Sequence, residues 1–233
     1  KYATHNQSGN ALFIVLAAII LFAALSMAIS VSDDNSQSFL DMNEANITVN
    51  ELLDYQNSVK MAVNTMILNN DATPDNISFE DPRDNQSGAA GDITNTMNPN
   101  SRGEIDRVFS TGQGGMIQWK DFRHLTRNRS TAIDFDNHFY SGRHVAENTG
   151  TGAADLIYFL RDIDPKLCKI INAKSGLPTD SASFPVDTTI NIGHFKGSFG
   201  GHSLDNIDGA PFGCFTYATS PDEYWFYYII IAQ

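Results

Sequence analysis

The sequence predicts an α+β protein in which a long N-terminal hydrophobic helix packs on a mainly antiparallel β-sheet domain. Three observations predict it. Residues 11–31, ALFIVLAAIILFAALSMAISV, run 21 positions without a charge. From Phe39 to Ile67, apolar residues then recur every three or four positions, the period of one helix face. The last third holds short β-branched and aromatic runs between turn residues, ending in YWFYYIII over 224–231. The chain therefore divides into a polar tail and hydrophobic helix (1–31), an amphipathic continuation (32–70) and a globular β-rich head (71–233).

Taken in order, residues 1–9 are short and polar, with a break expected at Ser8-Gly9. Asn10 can cap the helix that follows. The apolar run spans roughly 31 Å at about 1.5 Å per residue, close to the hydrocarbon thickness of a bilayer. A helix apolar on all sides belongs in lipid, or in a sheath of other apolar helices that replaces lipid. Lys1 and His5 precede the run and Asp33 and Asp34 follow it. This asymmetry predicts a cytoplasmic N-terminus with the bulk of the chain outside. The run is too long for the apolar region of a cleaved signal peptide. Ala17, Ala18, Ala23, Ala24 and Ala28 would let helix backbones approach closely. The candidate packing positions are Leu12, Phe13, Val15, Leu16, Ala17, Ala18, Ile20, Leu21, Ala24, Leu25 and Ala28. With roughly 2,000 Å² of apolar surface at about 25 cal/mol per Å², re-burying such a helix among its copies is worth tens of kcal/mol.

The polar run SDDNSQS over 32–38 marks a joint in the helix. Beyond it, Phe39, Met42, Ala45, Val49, Leu52, Leu53, Gln56, Val59, Val63, Met66 and Ile67 form one stripe. Asp41, Glu44, Asn50, Glu51, Asp54, Asn57 and Asn64 lie opposite. Residues 71–103, rich in Asn, Asp, Pro, Gly and Ser, read as loop with a short strand at 77–79. Strands are expected at 105–109 and 116–119 around a turn at 112–115, and a strand or hairpin at 132–140. Another strand is expected at 156–160. PKLCKIINAK (165–174) reads as a short helix, with Pro165 in its first turn and Gly176 closing it. A strand at 188–192 and a glycine-rich loop at 193–209 follow. Strands at 212–217 and 224–231 end the chain, the last expected at the buried centre of the sheet beneath the long helix.

Composition narrows the function. A net charge of −12 argues against nucleic acid, which needs a basic stripe, and against anionic lipid surfaces. Cys168 and Cys214 are the two cysteines. In an exported domain they most simply form one disulfide, closing a loop of about 46 residues and constraining the unfolded chain by roughly 4 kcal/mol. The alternative is two separate buried thiols.

Catalytic and metal patterns are missing. His5, His124, His138, His144, His194 and His202 are scattered without HExxH or CxxC spacing. His194 and His202 bracket the loop GHFKGSFGGHS, which reads as a surface loop. The acids Asp71, Asp75, Glu80, Asp81 and Asp84 lack ordered calcium-loop spacing. The glycines of 112–115 lack phosphate-loop spacing, and no GxSxG elbow occurs. No catalytic residue, metal or cofactor is expected. Asn46, Asn76, Asn85 and Asn128 open acceptor triplets for glycosylation, which would place glycans on the surface. Tyr224, Trp225, Tyr227 and Tyr228 offer either a sugar platform or core packing, and the apolar run around them favours the core.

These features together resemble a type IV pilin or pseudopilin. The shared elements are Ser8-Gly9 before an uninterrupted apolar helix, its amphipathic continuation, a sheet-rich C-terminal domain and a late cysteine pair. The resemblance is divergent: Ile14 stands where the family usually carries a glutamate, and Asn10 follows the glycine. It implies a pilin-like fold and a structural subunit of an extracellular helical filament, polymerising through the N-terminal helix. Such a subunit has itself as partner, is held in the inner membrane before assembly and performs no catalysis. The alternative is a minor pseudopilin or membrane-anchored exported binding module that does not homopolymerise.

Overall fold

The computed structural model describes the backbone of residues 8–80, 97–127, 138–190, 193–218 and 220–233. It describes their side chains except at 8–14, 16–18, 20–40, 181 and 221. The chain divides into two units, Lys1–Ala45 and Asn46–Gln233. Helix α1, Ser8–Asn69, supplies the described backbone of the first and the opening of the second. Its backbone passes the polar 32–38 run without the expected joint, in keeping with the absence of proline and glycine there. In the first unit Val15 and Ile19 are exposed.

The second unit is built around a sheet. Its strands are β1 (His138–Ala146), β2 (Asp155–Arg161), β3 (Val186–Asp187), β4 (His202–Leu204), β5 (Phe212–Tyr217) and β6 (Ser220–Ile231). The spatial order is β3-β5-β6-β2-β1-β4. β6, aromatic and branched along most of its length, sits in the middle and pairs antiparallel with both β2 and β5. β1 and β2 are also antiparallel, but the edge strands β4 and β3 join β1 and β5 in parallel.

The two edges then meet. Asp187 Oδ1 accepts from Thr189 N at 2.7 Å, and its Oδ2 accepts from Asp205 N, just past β4, at 3.3 Å. Thr189 Oγ1 donates to Ser203 O at 3.1 Å, and Asn206 Nδ2 to Val186 O at 3.3 Å. The sheet thus curls into a nearly closed barrel whose seam is made by side chains.

Alternation along the strands explains the curl. Phe139, Ile157, Phe159, Phe215, Trp225, Tyr227 and Ile229 point into one cluster with Leu204 and Ile207. Several of their rings meet edge to face, such as Phe159–Trp225 at 6.3 Å and Phe139–Trp225 at 6.2 Å. Each such pair adds about 1 kcal/mol beyond its buried area. A bulge between Ser141 and His144 shifts the phase of β1, so His144 faces Phe159, itself in that cluster, as Phe139 does.

The outer face is covered piecewise. Helix α2, Pro165–Ser175, carries an Asp164 cap that accepts from Lys166 N at 2.8 Å, and Gly176 ends it at φ 81°. Cys168 is bonded to Cys214 of β5, with Cα atoms 5.5 Å apart. Asn172 adds a second tie: Oδ1 accepts from Cys214 N at 2.7 Å and Nδ2 donates to Cys214 O at 3.2 Å. The α1 turns inside this unit bury Val49, Leu52, Gln56, Val59, Val63 and Met66. Tyr140 Oη donates to Gln56 Oε1 at 3.3 Å, and Lys60 Nζ to Ile229 O at 3.3 Å.

The expected fold class is therefore corrected. The head is a six-stranded mixed, nearly closed barrel-like sheet, not a mainly antiparallel sheet roofed by a long hydrophobic helix. Its core lies inside its own curvature, because β6 and its neighbours carry large apolar side chains on both faces. Among the described residues there are two α-helices, and no helix is long and apolar enough to cross a membrane.

The strands expected at 105–109 and 116–119 are absent. The first begins as a 3-10 turn, Glu104–Asp106, with Asp106 buried, and the second is irregular loop. At 77–79 only a single bridge forms, Ser78 to Arg107. Of the strand expected at 188–192, residues 188–190 are not in a strand and 191–192 lie outside the described residues; β3 precedes them at Val186–Asp187, and the glycine-rich loop contains β4. Of the hairpin expected at 132–140, positions 132–137 lie outside the described residues.

Candidate functional site

The most sharply built surface feature is the loop of residues 104–119. Asp106 anchors it from beneath, fully buried, with Arg102 Nη2 donating to Oδ1 at 2.6 Å and Arg102 Nε and N donating to Oδ2 at 2.9 and 2.6 Å. Burial alone would raise the Asp106 pKa; the side-chain and backbone hydrogen bonds and the charge of Arg102 outweigh it and hold the carboxyl below its ordinary value.

The return arm folds back on the first. Gly115 N donates to Arg107 O at 2.9 Å and Ile117 N to Val108 O at 3.3 Å. Gly114 takes φ 72°, and a Cβ there would run into the carbonyl oxygens of Glu104 and Arg107. A Cβ on Gly115 would stand 2.7 Å from Val108 O. Only glycine allows this approach. At the far end Tyr55 Oη donates to Gln118 O at 3.1 Å and accepts from Lys120 N at 3.0 Å. Lys120 also pairs with Glu51.

The two arms enclose a cleft of about 400 Å³ lined by Glu104, Arg107, Phe109, Ser110, Thr111, Ile117, Gln118 and Trp119. Arg107 is fixed by Nε–Glu80 Oε2 at 2.7 Å. Ser110 Oγ accepts from Gly112 N and Gln113 N at 3.4 and 3.3 Å. Trp119 is half-buried beside His138, ring centroids 5.5 Å apart. The cleft holds a carboxylate and a guanidinium but no nucleophile with a neighbouring base.

His144 lies elsewhere, fully buried in the barrel, 5.1 Å from the Phe159 ring and 6.1 Å from the His202 ring. Burial, then the neighbouring His202 and Arg143, push its pKa down to about 4. It is held neutral as a core residue.

The residues singled out from sequence fall as follows. Cys168 and Cys214 form the disulfide, and the alternative of two buried thiols is set aside. Of the candidate packing positions on the hydrophobic helix, Val15 is described and exposed. The side chains of Leu12, Phe13, Leu16, Ala17, Ala18, Ile20, Leu21, Ala24, Leu25 and Ala28 lie outside the described residues. Asn46 is half-buried on α1. Asn76 is half-buried in a turn, its N donating to Thr73 O, and the Ser78 of its triplet is buried with Oγ accepting from Asn98 N at 3.2 Å. Asn85 and Asn128 lie outside the described residues.

Asp71 and Asp75 are exposed, Glu80 is bound to Arg107, and Asp81 and Asp84 lie outside the described residues. Among the described residues, no group of three or more His, Cys, Asp or Glu is arranged to hold a metal. Trp225, Tyr227 and Tyr228 are buried in the core, and Tyr224 is half-buried. The cleft is not legible in the sequence because its two arms resemble strands. The signal lay in Gly114-Gly115 beside the apolar Ile117 and Trp119.

No protein-family model, curated protein or solved structure matches this chain.

Proposed function

We propose that this protein is a structural subunit of an extracellular helical filament, polymerising through its N-terminal hydrophobic helix and carrying the barrel as its surface domain. In this reading its partner is itself, it is held in a membrane before assembly, and it performs no catalysis. The observation that carries the proposal is the charge-free run at 11–31, continued on α1 by exposed apolar side chains set within a polar face. Ile47, Met61 and Leu68 are exposed, with relative areas of 67%, 63% and 80%. They lie across the helix from the buried Val49, Leu52, Gln56, Val59 and Val63, on the face that also carries Glu51, Asp54, Asn57 and Asn64. Apolar groups held against water along one face fit a surface that neighbouring copies cover. The charge-free run at 11–31 is a segment that has no stable place in water by itself.

Negative-stain microscopy of material sheared from cells tests the proposal. The wild type is expected to give fibres, Ala18→Asp or Ala24→Asp none, and Met61→Glu shorter or fewer ones. Normal fibre yield from the aspartate variants would overturn it. The second reading, a minor pseudopilin or a membrane-anchored exported binding module that does not homopolymerise, is favoured by the rigid cleft at 104–119. A monomer on sizing in mild detergent selects that reading, and detergent-resistant fibres select the first.

A further inference from the structure

The geometry points to the 104–119 cleft as a binding site for a neutral oligosaccharide, with the Trp119 indole as the platform for one sugar ring and Gln118, Thr111, Ser110 and Glu104 around it. The cleft volume of about 400 Å³ falls within the roughly 300–1,000 Å³ of small-molecule sites. Its lining alternates aromatic and aliphatic walls (Phe109, Ile117, Trp119) with hydroxyl, amide, carboxylate and guanidinium groups.

Other ligand classes fit less well. A wholly apolar ligand would cover the polar groups of Glu104 and Gln118 without pairing them. An anion would meet Glu104 and a chain of net charge −12, while Arg107 is already paired with Glu80. A phosphate ligand would need a cradle of backbone N–H groups. Here Gly115 N and Ile117 N are spent on Arg107 O and Val108 O, and Gly112 N and Gln113 N on Ser110 Oγ. A neutral polyhydroxylated ring with one C–H face meets both kinds of wall. The ring lies on the indole, and its hydroxyls pair with the planar polar groups.

The loop is set before any ligand arrives, through the Arg102–Asp106 tie, the Gly114 and Gly115 contacts and the Tyr55 clamp. Little ordering entropy is therefore lost on binding.

The test uses the full chain in mild detergent and three probes: cellotetraose, chitotetraose and mannotetraose. Trp119 and Trp225 are its two tryptophans, and Trp225 is buried in the barrel. Saturable change in indole emission with at least one probe is expected, and Trp119→Ala is expected to abolish the change and weaken binding by calorimetry about tenfold or more. Trp119→Phe should keep most of the affinity, and Gln118→Ala should weaken it a few-fold with an unchanged melting temperature. If Trp119→Ala fails to fold, Trp119→Phe and Gln118→Ala carry the comparison. No saturable binding of any probe overturns the proposal. So does equal binding by wild type and the Trp119 and Gln118 variants, or saturation by a polyproline peptide with none by the sugars.

Discussion

The inner and outer faces of the one sheet solve different problems. Inside, Phe139, Phe159, Phe215, Trp225 and Tyr227 interlock ring against ring, and the Tyr227 hydroxyl donates to Ala210 O at 3.1 Å. Outside, the same strands meet separate covers: α2 through a disulfide and Asn172, and α1 through Gln56 and Lys60. There polar groups are buried with incomplete pairing. The Tyr158 hydroxyl and Gln56 Nε2 have no hydrogen-bond partner among the described residues. One face draws its stability from continuous close packing, the other from a few discrete ties. Substitutions should therefore be costly and uniform inside, and range from costly to favourable outside.

The largest effect is expected at the centre of the inner face. Phe159→Ala should destabilise by about 4 kcal/mol in denaturant unfolding, since the cavity sits among rings that cannot collapse into it. A loss below about 1 kcal/mol would show that the barrel interior relaxes freely. On the outer face, replacing both Cys168 and Cys214 by serine should cost roughly 4 kcal/mol in the chain-entropy description of a 46-residue separation. That loss should match the wild type under reducing conditions.

His144 sharpens the comparison through pH. Its folded-state pKa, about 4, lies below its ordinary 6.5, so the unfolded chain takes up the proton first. Stability should be full above pH 6.5 and fall as pH drops toward 4, by roughly 3 kcal/mol in total. Asp155, opposite it on β2, acts in the other sense: burial raises its carboxyl, so its cost is greatest at neutral pH. Comparing wild type with His144→Gln by thermal melts from pH 7 to 4 isolates the histidine, and the variant should show a flatter acid limb.

The smallest effect should have the opposite sign. Tyr158→Phe removes a buried hydroxyl that gains nothing in the folded state, and should stabilise by about 1 kcal/mol. A destabilisation of that size would mean the hydroxyl has a partner.

Much of the head was legible wherever a residue pattern extended over several positions. The YWFYYIII run located the centre of the sheet, and FGCFTY its neighbour. Asp164-Pro165 and Gly176 bracketed α2 because caps are local chemistry. The cysteine pair needed only the assumption of export. What escaped was set by distant contacts.

β3 and β4 are two and three residues long, too short for any periodic signal, and exist because Asp187 and Thr189 find a partner across the seam. Asp187 in sequence is one acid among many. The arms at 105–109 and 116–119 carry strand-like residues, but buried Asp106 and the close approach at Gly114 and Gly115 bend them into a loop. His144 gave no sign of being buried, because a bulge three residues earlier decides where it points. The exposed Ile47, Met61 and Leu68 stand singly among Glu51, Asp54, Asn57 and Asn64, so no periodic signal marks them.

Under the proposed filament, the seam has a further consequence. A sheet with bare rims invites its neighbour to add strands, and crowded domains with such rims fuse into cross-β aggregates. Here each rim is a stub, and the two stubs are occupied with one another through the Asp187 carboxylate and the Thr189 and Asn206 side chains. Heads lined up at high local concentration can touch without templating one another, and each keeps its own hydrogen-bond register.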